Sequence, residues 1–219
     1  MNSEEKNSFD YWDSFHQFYN REHIKTDDWL LKFDDLIKNC TTPILDLGCG
    51  SGNDTLYLIE QGKTVIPCDQ SPNAIKNIKR NFPEVQDARC FNLLDGLPFV
   101  SNSYDIIVAD LCLHYFRETD TFRILNDILD KLTDHGHLLL RVNTIHDVNH
   151  GAGQGIELEP HLYRTKEGTL KRFFDETDMN HFFQNFDLQY CVEEKMTRYS
   201  SEKIVFCASA MKRASSLTR

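Results

Sequence analysis

The run Pro43-Ile44-Leu45-Asp46-Leu47-Gly48-Cys49-Gly50-Ser51-Gly52-Asn53-Asp54 constrains the fold more than any other stretch of the chain. A short apolar strand breaks into three glycines at alternate positions, and a helical pattern begins at once. Glycine lets the backbone turn tightly and approach a ligand, while the first turn of a helix offers unpaired N–H groups to anionic oxygens. Such a loop belongs at the carboxyl end of a parallel strand in a layered α/β sheet. The middle of the chain repeats the motif. Apolar runs at 64–68, 88–91, 104–109 and 137–142 alternate with amphipathic segments at 54–60, 71–82 and 118–132, and Pro72 takes the first helical position of the second segment. Strand, helix, strand in repetition predicts an α/β fold, a mostly parallel sheet with helices on both faces.

Both ends depart from the alternation. An aromatic segment at 9–19 and a helical pattern of Trp29, Leu30, Phe33, Leu36 and Ile37 predict an N-terminal helical cap, residues 1–41, over the site. After a helix expected at 177–186, strands at 187–197 and 204–211 are joined by a break at 200–202. So short a connection forces antiparallel pairing. The sheet therefore reaches seven strands and ends in a C-terminal hairpin. Residues 42–211 form the main domain, and 212–219 read as a flexible tail.

Composition narrows the partners. Among 219 residues, 24 Lys and Arg stand against 34 Asp and Glu, a net charge of −10. That balance disfavours phosphate backbones and anionic lipid, so nucleic acid and membrane are not expected as partners. No apolar run approaches the ~20 residues of a spanning helix, and the opening residues lack the basic start and apolar centre of a secretory signal. A cytoplasmic protein, monomer or homodimer, is expected. Seven cysteines without a CxxC pair read as reduced packing thiols, and no metal is expected.

Asp69 ends the second strand, 21 residues after Gly48, where a carboxylate can accept both hydroxyls of a ribose. In the GxGxxG dinucleotide fingerprint the third glycine would fall on Asn53. Asp46, two residues before the first glycine, would repel a pyrophosphate and attract an ammonium or sulfonium. The loop thus suits a partly cationic nucleotide-like ligand. An NAD-dependent oxidoreductase is the alternative that Asn53 and the hairpin weigh against.

The motif Asp46-Leu47-Gly48-Cys49-Gly50-Ser51-Gly52 resembles the (D/E)xGxGxG signature of the class I S-adenosylmethionine-dependent methyltransferases. The likeness covers about residues 42–211, and it is nearest to small-molecule enzymes of the tellurite-resistance and thiopurine type. It implies a Rossmann-like methyltransferase fold with S-adenosyl-L-methionine as cofactor. Asp69, with Gln70 behind it, takes the place of the family's ribose-binding acid. The segment from Phe91 to Phe99 matches the turn that lines the adenine, with Asn92 and Leu93 at its centre; Asn92 stands where the family often has Asp and presents its amide oxygen. Asp110 and Leu111 open the loop beneath the reacting methyl, so the implied cofactor set is Asp46, Gly48, Cys49, Gly50, Asp69, Gln70, Asn92, Leu93, Asp110 and Leu111, with Tyr11 as a cover.

A sulfonium methyl leaves readily, so such a protein mainly holds a nucleophile in line within a dry pocket. His114, just past the fourth strand, is either a general base or a residue packing at a strand end. Residues 143–168, polar and rich in glycine, read as a substrate loop or lid, with Asn143, His150, Tyr163 and Arg164 as acceptor contacts beside Tyr115. His146 and His150 flank Asp147 at metal-like spacing, but glycines interrupt any helix there. Lys171-Arg172-Phe173-Phe174 reads as a helix face with buried rings. The fourth strand lacks the Asn/Asp-Pro-Pro-aromatic loop of amino-directed nucleic-acid methyltransferases, which favours a small-molecule acceptor. A module that binds the cofactor without catalysis is the second alternative.

Overall fold

The computed structural model describes residues 3–17, 24 and 26–213. Its centre is a seven-stranded sheet. The strands are β1 (Ile44–Leu47), β2 (Val65–Asp69), β3 (Arg89–Cys90), β4 (Tyr104–Asp110), β5 (Leu132–Asn143), β9 (Phe186–Met196) and β10 (Lys203–Lys212). They lie in the order β3-β2-β1-β4-β5-β10-β9, the first five parallel and the last two forming an antiparallel hairpin on β5. The helices are α1 (Ser3–His16), α2 (Asp34–Asn39), α3 (Asn53–Glu60), α4 (Pro72–Asn81), α5 (Glu118–Lys131) and α6 (Glu176–Phe182). Strand alternation divides the core between the two faces. Ile107, Ala109, Leu138 and Leu140 join Ile124 and Ile128 of α5 and Phe182 of α6 on one face. Ile106, Val108 and Leu139 join Trp29, Phe33, Ile37 and Leu58 on the other.

Several elements differ from the sequence expectation. Strand β5 begins at Leu132, five residues early, because the chain pairs with Tyr104 directly out of α5 and then shifts register beside His135 (φ +64°). Helix α6 stops at Phe182, and the apolar run continues into β9 with Phe183 and Phe186 buried. The stretch read as a lid is only partly a loop. It contains β6 (Ile156–Glu159) and β7 (Leu162–Arg164), which with β8 (Leu170–Arg172) form a separate three-stranded antiparallel sheet. Lys171 and Arg172 are therefore strand residues rather than a helix face, although Phe173 and Phe174 are buried as expected. Lys212, assigned to the tail, pairs with Phe186 in β9. Residues 18 and 19 of the aromatic segment and 214–219 of the tail lie outside the described residues. No helix among the described residues is long and apolar enough to cross a membrane.

At the carboxyl ends of the strands, carboxylates and guanidiniums interlock. Arg141 of β5, 1% exposed, donates from Nε and Nη2 to the two oxygens of Asp110 at 2.7 and 2.8 Å, and from Nη1 to Asp27 at 2.7 Å. Arg198, in the turn between β9 and β10, donates to Asp110 at 3.0 Å and to Asp27 at 2.9 Å. Trp29 lies under the Arg141 guanidinium at 4.6 Å and donates its indole N–H to Asp54 at 2.8 Å. Burial raises the Asp110 carboxyl, but the two arginines outweigh it and hold it at about 2. One strand away, Asp46 is buried and accepts from Thr55 Oγ1 of α3 at 2.5 Å. Burial, helped by repulsion from Asp110 and Asp69 and opposed by the Thr55 hydrogen bond, pushes Asp46 up to about 7.

Two outcomes follow. Arg141→Met leaves two buried carboxylates to share Arg198 alone, and chemical denaturation is expected to show a loss of about 3 kcal/mol; a loss within experimental error would contradict the role given to Arg141. Asp46, raised in the fold, contributes stability that is present below its unfolded value of 3.8 and is lost as pH climbs through about 7. The stability of Asp46→Asn relative to the parent should therefore rise between pH 4 and about 7, as read by urea melts across that range. A flat difference would show that Asp46 is not strained by its burial.

Candidate functional site

The glycine loop between β1 and α3 is shaped by close approach. Gly48 has φ +66°, and a Cβ there would lie 2.4 Å from the Cβ of Cys112. Gly52 has φ +88°, and its missing Cβ leaves space for the Phe82 ring, which would otherwise sit at 2.6 Å. Between them the Gly50 N–H donates to Asp69 Oδ2 at 2.9 Å, and the Ser71 N–H donates to Oδ1 at 2.8 Å. The loop and the N-terminus of α4 thus aim one carboxylate. Burial raises the Asp69 carboxyl, and these backbone hydrogen bonds oppose the shift.

Helix α1 is fastened across this wall. Asp13 Oδ1 accepts from Ser71 Oγ at 2.6 Å and from the Asn73 N–H at 3.0 Å, and Asp13 Oδ2 accepts from Asn73 Nδ2 at 2.9 Å. Asn77 Nδ2 donates to the His16 carbonyl at 2.7 Å. The helix carries Tyr11, Trp12 and Phe15 over a cavity of about 570 Å³. Trp12 meets Tyr115 edge to face at 5.4 Å, an arrangement in which each ring covers apolar surface of the other.

Most of the sequence-chosen residues converge on that cavity. Gly48, Cys49, Gly50, Asp69, Gln70, Asn92 and Leu93 line one end, Tyr11 covers it, and Asp110, Leu111, His114, Tyr115, Asn143 and His150 continue around it. Three do not reach it. Asp46 lies beneath the glycine loop and anchors Thr55 instead of facing a ligand. Tyr163 and Arg164 belong to β7, paired with Lys171 and Leu170 of β8, and strand pairing carries them away from the cavity wall. His146 and His150 also separate, the first to Glu193 at 2.8 Å and the second to Asp147 at 2.9 Å.

The end of the cavity opposite Asp69 is polar and buried. His114 is 1% exposed, its Nδ1 has no hydrogen-bond partner among the described residues, and burial together with Lys171 and Lys203 pushes its pKa well below the usual imidazole value. Asn143, fully buried, accepts from Lys203 Nζ at 2.6 Å through Oδ1 and leaves Nδ2 without a partner. Sequence reasoning did not find Asp13, Lys171, Arg198 or Lys203. Their only signal was charge beside a turn or aromatic residue, which a solvated surface produces equally well.

The residues present suit S-adenosylmethionine. A buried, backbone-oriented carboxylate stands beside glycines that leave contact space, and apolar rings cover the opening. A model of the methyltransferase domain matches residues 45–140. The tRNA N(3)-methylcytidine methyltransferase Mettl2 of Drosophila melanogaster is 28% identical over 86% of this chain and 66% of its own length, so the chain spans just under two thirds of that relative. A methyltransferase from Methanosarcina mazei superposes with a TM-score of 0.67 at 22% identity, covering 80% of this chain and 93% of that one. The 1,6-didemethyltoxoflavin N1-methyltransferase of Burkholderia thailandensis superposes with a TM-score of 0.67 at 17% identity, covering 97% and 92%. Residues 45–140 thus match the methyltransferase domain, and the sheet order has the fold of the S-adenosylmethionine-dependent methyltransferase structure from Methanosarcina mazei.

Proposed function

We propose that the protein transfers a methyl group from S-adenosylmethionine to a small molecule held inside the cavity under α1. One observation carries this reading: a single cavity of about 570 Å³ joins the glycine loop and Asp69 at one end to a buried, polar end at His114 and Asn143. When bound, S-adenosylmethionine supplies an electrophilic methyl on a sulfonium. Asp69 would hold the ribose hydroxyls, the glycine loop would admit the amino-acid portion, and Asn92 with Leu93 would line the base. Trp12 and Tyr115 exclude water, which strengthens every electrostatic contact inside. His114 stays neutral at pH 7 because of its burial and two cationic neighbours. It can therefore accept a proton from a hydroxyl or amine acceptor at its unpartnered nitrogen.

A second reading, a tRNA acceptor, is supported by the fly relative, a tRNA methyltransferase. The net charge of −10 and the aromatic roof of α1 favour the small acceptor. Tritiated-methyl S-adenosylmethionine, offered with a low-molecular-weight metabolite fraction or with total tRNA, separates the two. Label in the small-molecule fraction is expected; label in tRNA alone would overturn the proposal, and binding without turnover in either would point to a non-catalytic module.

Calorimetry with S-adenosylhomocysteine tests the site assignments. Two charge-assisted hydrogen bonds to the ribose imply that Asp69→Ala weakens binding by roughly 10- to 100-fold. His114→Ala should change it by less than about threefold while lowering turnover by about 100-fold. Equal losses of affinity would show that the ribose is misplaced, and binding of NAD instead would favour the oxidoreductase.

A further inference from the structure

Resting on the reading of this cavity as the acceptor chamber, we propose that its closed end is an anion-binding subsite. Lys171 and the Asn143 amide there receive a carboxylate or phosphate group of the methyl acceptor.

The groups converge through strand pairing. The Arg172 N–H donates to the His114 carbonyl at 2.7 Å, which lays β8, and Lys171 with it, alongside the loop after β4. Strands β5 and β10 bring up Asn143 and Lys203 from the other side, and all four residues line the cavity. The orientation of the Asn143 amide is set by Lys203, whose ammonium donates to Oδ1 and leaves the NH₂ group as the free end. A fully buried amide whose NH₂ group is unmet on a cavity wall calls for a ligand that accepts from it.

The charge balance says which kind of ligand. Two ammonium groups lie at this end, and among the described residues a single carboxylate, Asp147, contacts either of them. Asp147 is spent on Lys203 at 2.9 Å, on His150 at 2.9 Å and on the Ile204 N–H at 3.1 Å. Lys171 is mostly buried and donates to the His150 carbonyl at 2.6 Å, with Phe173 5.2 Å beneath it. No carboxylate among the described residues comes within ion-pair distance of it; Asp147 and Glu167 act on it only from farther away. A buried cation without a counter-ion is costly, and an anionic ligand group removes that cost. Burial and repulsion from Lys203 push Lys171 down to about 8, the consequence of a missing partner. The nearby Tyr115 and Leu170 side chains fit an acceptor whose body is apolar.

Saturation-transfer NMR and calorimetry on protein loaded with S-adenosylhomocysteine test the subsite, using benzoate and inorganic phosphate against benzamide as the neutral control. Wild type should bind at least one anion and not benzamide. Lys171→Met should weaken that binding by about tenfold or more. Asn143→Asp keeps an oxygen for Lys203 but replaces the free donor by negative charge, and it should weaken binding at least as much. S-adenosylhomocysteine affinity should change less than about threefold in both variants. Benzoate alone identifies a carboxylate acceptor and phosphate alone a phosphorylated one. Failure of both anions to bind wild type, or unchanged binding in both variants, would overturn the subsite. Anion binding without S-adenosylhomocysteine binding would leave the subsite standing and overturn the cofactor reading.

Discussion

The buried guanidinium of Arg141 is the interaction on which the rest of the molecule depends. Parallel strands deliver their carboxyl ends to one edge of the sheet, and in this chain β1, β2 and β4 each place an aspartate there. Asp110 and Asp69 both make it harder for the buried Asp46 to stay ionised. Desolvated like charges so close cannot all persist without compensation. Arg141 supplies it for Asp110 with a two-pronged contact, and Arg198 adds a second cation from the hairpin. Asp27 then ties the segment before α2 to both arginines. The N-terminal region and the C-terminal hairpin are thus parts of the electrostatic solution at the strand tips, in addition to covering the sheet. Asp110 is fully engaged in that network and shapes the cavity wall, whereas Asp69 accepts from the Gly50 and Ser71 backbone N–H groups and faces the cavity.

This arrangement gives the cavity two ends of unlike character. At one end a carboxylate and glycine backbone face the space; at the other are two ammonium groups, an amide and an imidazole. A ligand pair that puts hydroxyls at the first end and an anion at the second complements both. The cavity residues come from five strands, from α1, α3 and α5, and from the loops between them, so no single element determines the acceptor. Helix α1 closes the chamber through Asp13, and its attachment to the start of α4 couples the roof to the same Ser71 that orients Asp69.

What could be read from sequence was local. The glycine loop, Asp69 and the strand alternation are encoded within stretches of ten or twenty residues, where glycine conformations and side-chain period speak directly. The ion network escaped because its partners are 114 and 171 positions apart for Arg141–Asp27 and Arg198–Asp27. Charge partners at that separation leave no pattern in a single chain. The small sheet of β6, β7 and β8 escaped for a related reason. Strands of three or four residues lack enough period to be distinguished from loop, and their pairing rests on contacts such as Arg172 with Glu159. Tyr163 and Arg164 were misplaced with it. The spacing of Asp46 before the glycines suggests a ligand contact and does not reveal that Thr55 of α3 meets it.

The structure of the protein with S-adenosylhomocysteine bound is the most direct measurement. Ribose hydroxyls within hydrogen-bond distance of the Asp69 carboxylate, with the sulfur directed toward His114 and Tyr115, are expected. Density for the nucleoside away from Asp69, or a sulfur pointing out of the chamber toward solvent, would contradict the division of the cavity into a cofactor end and an acceptor end.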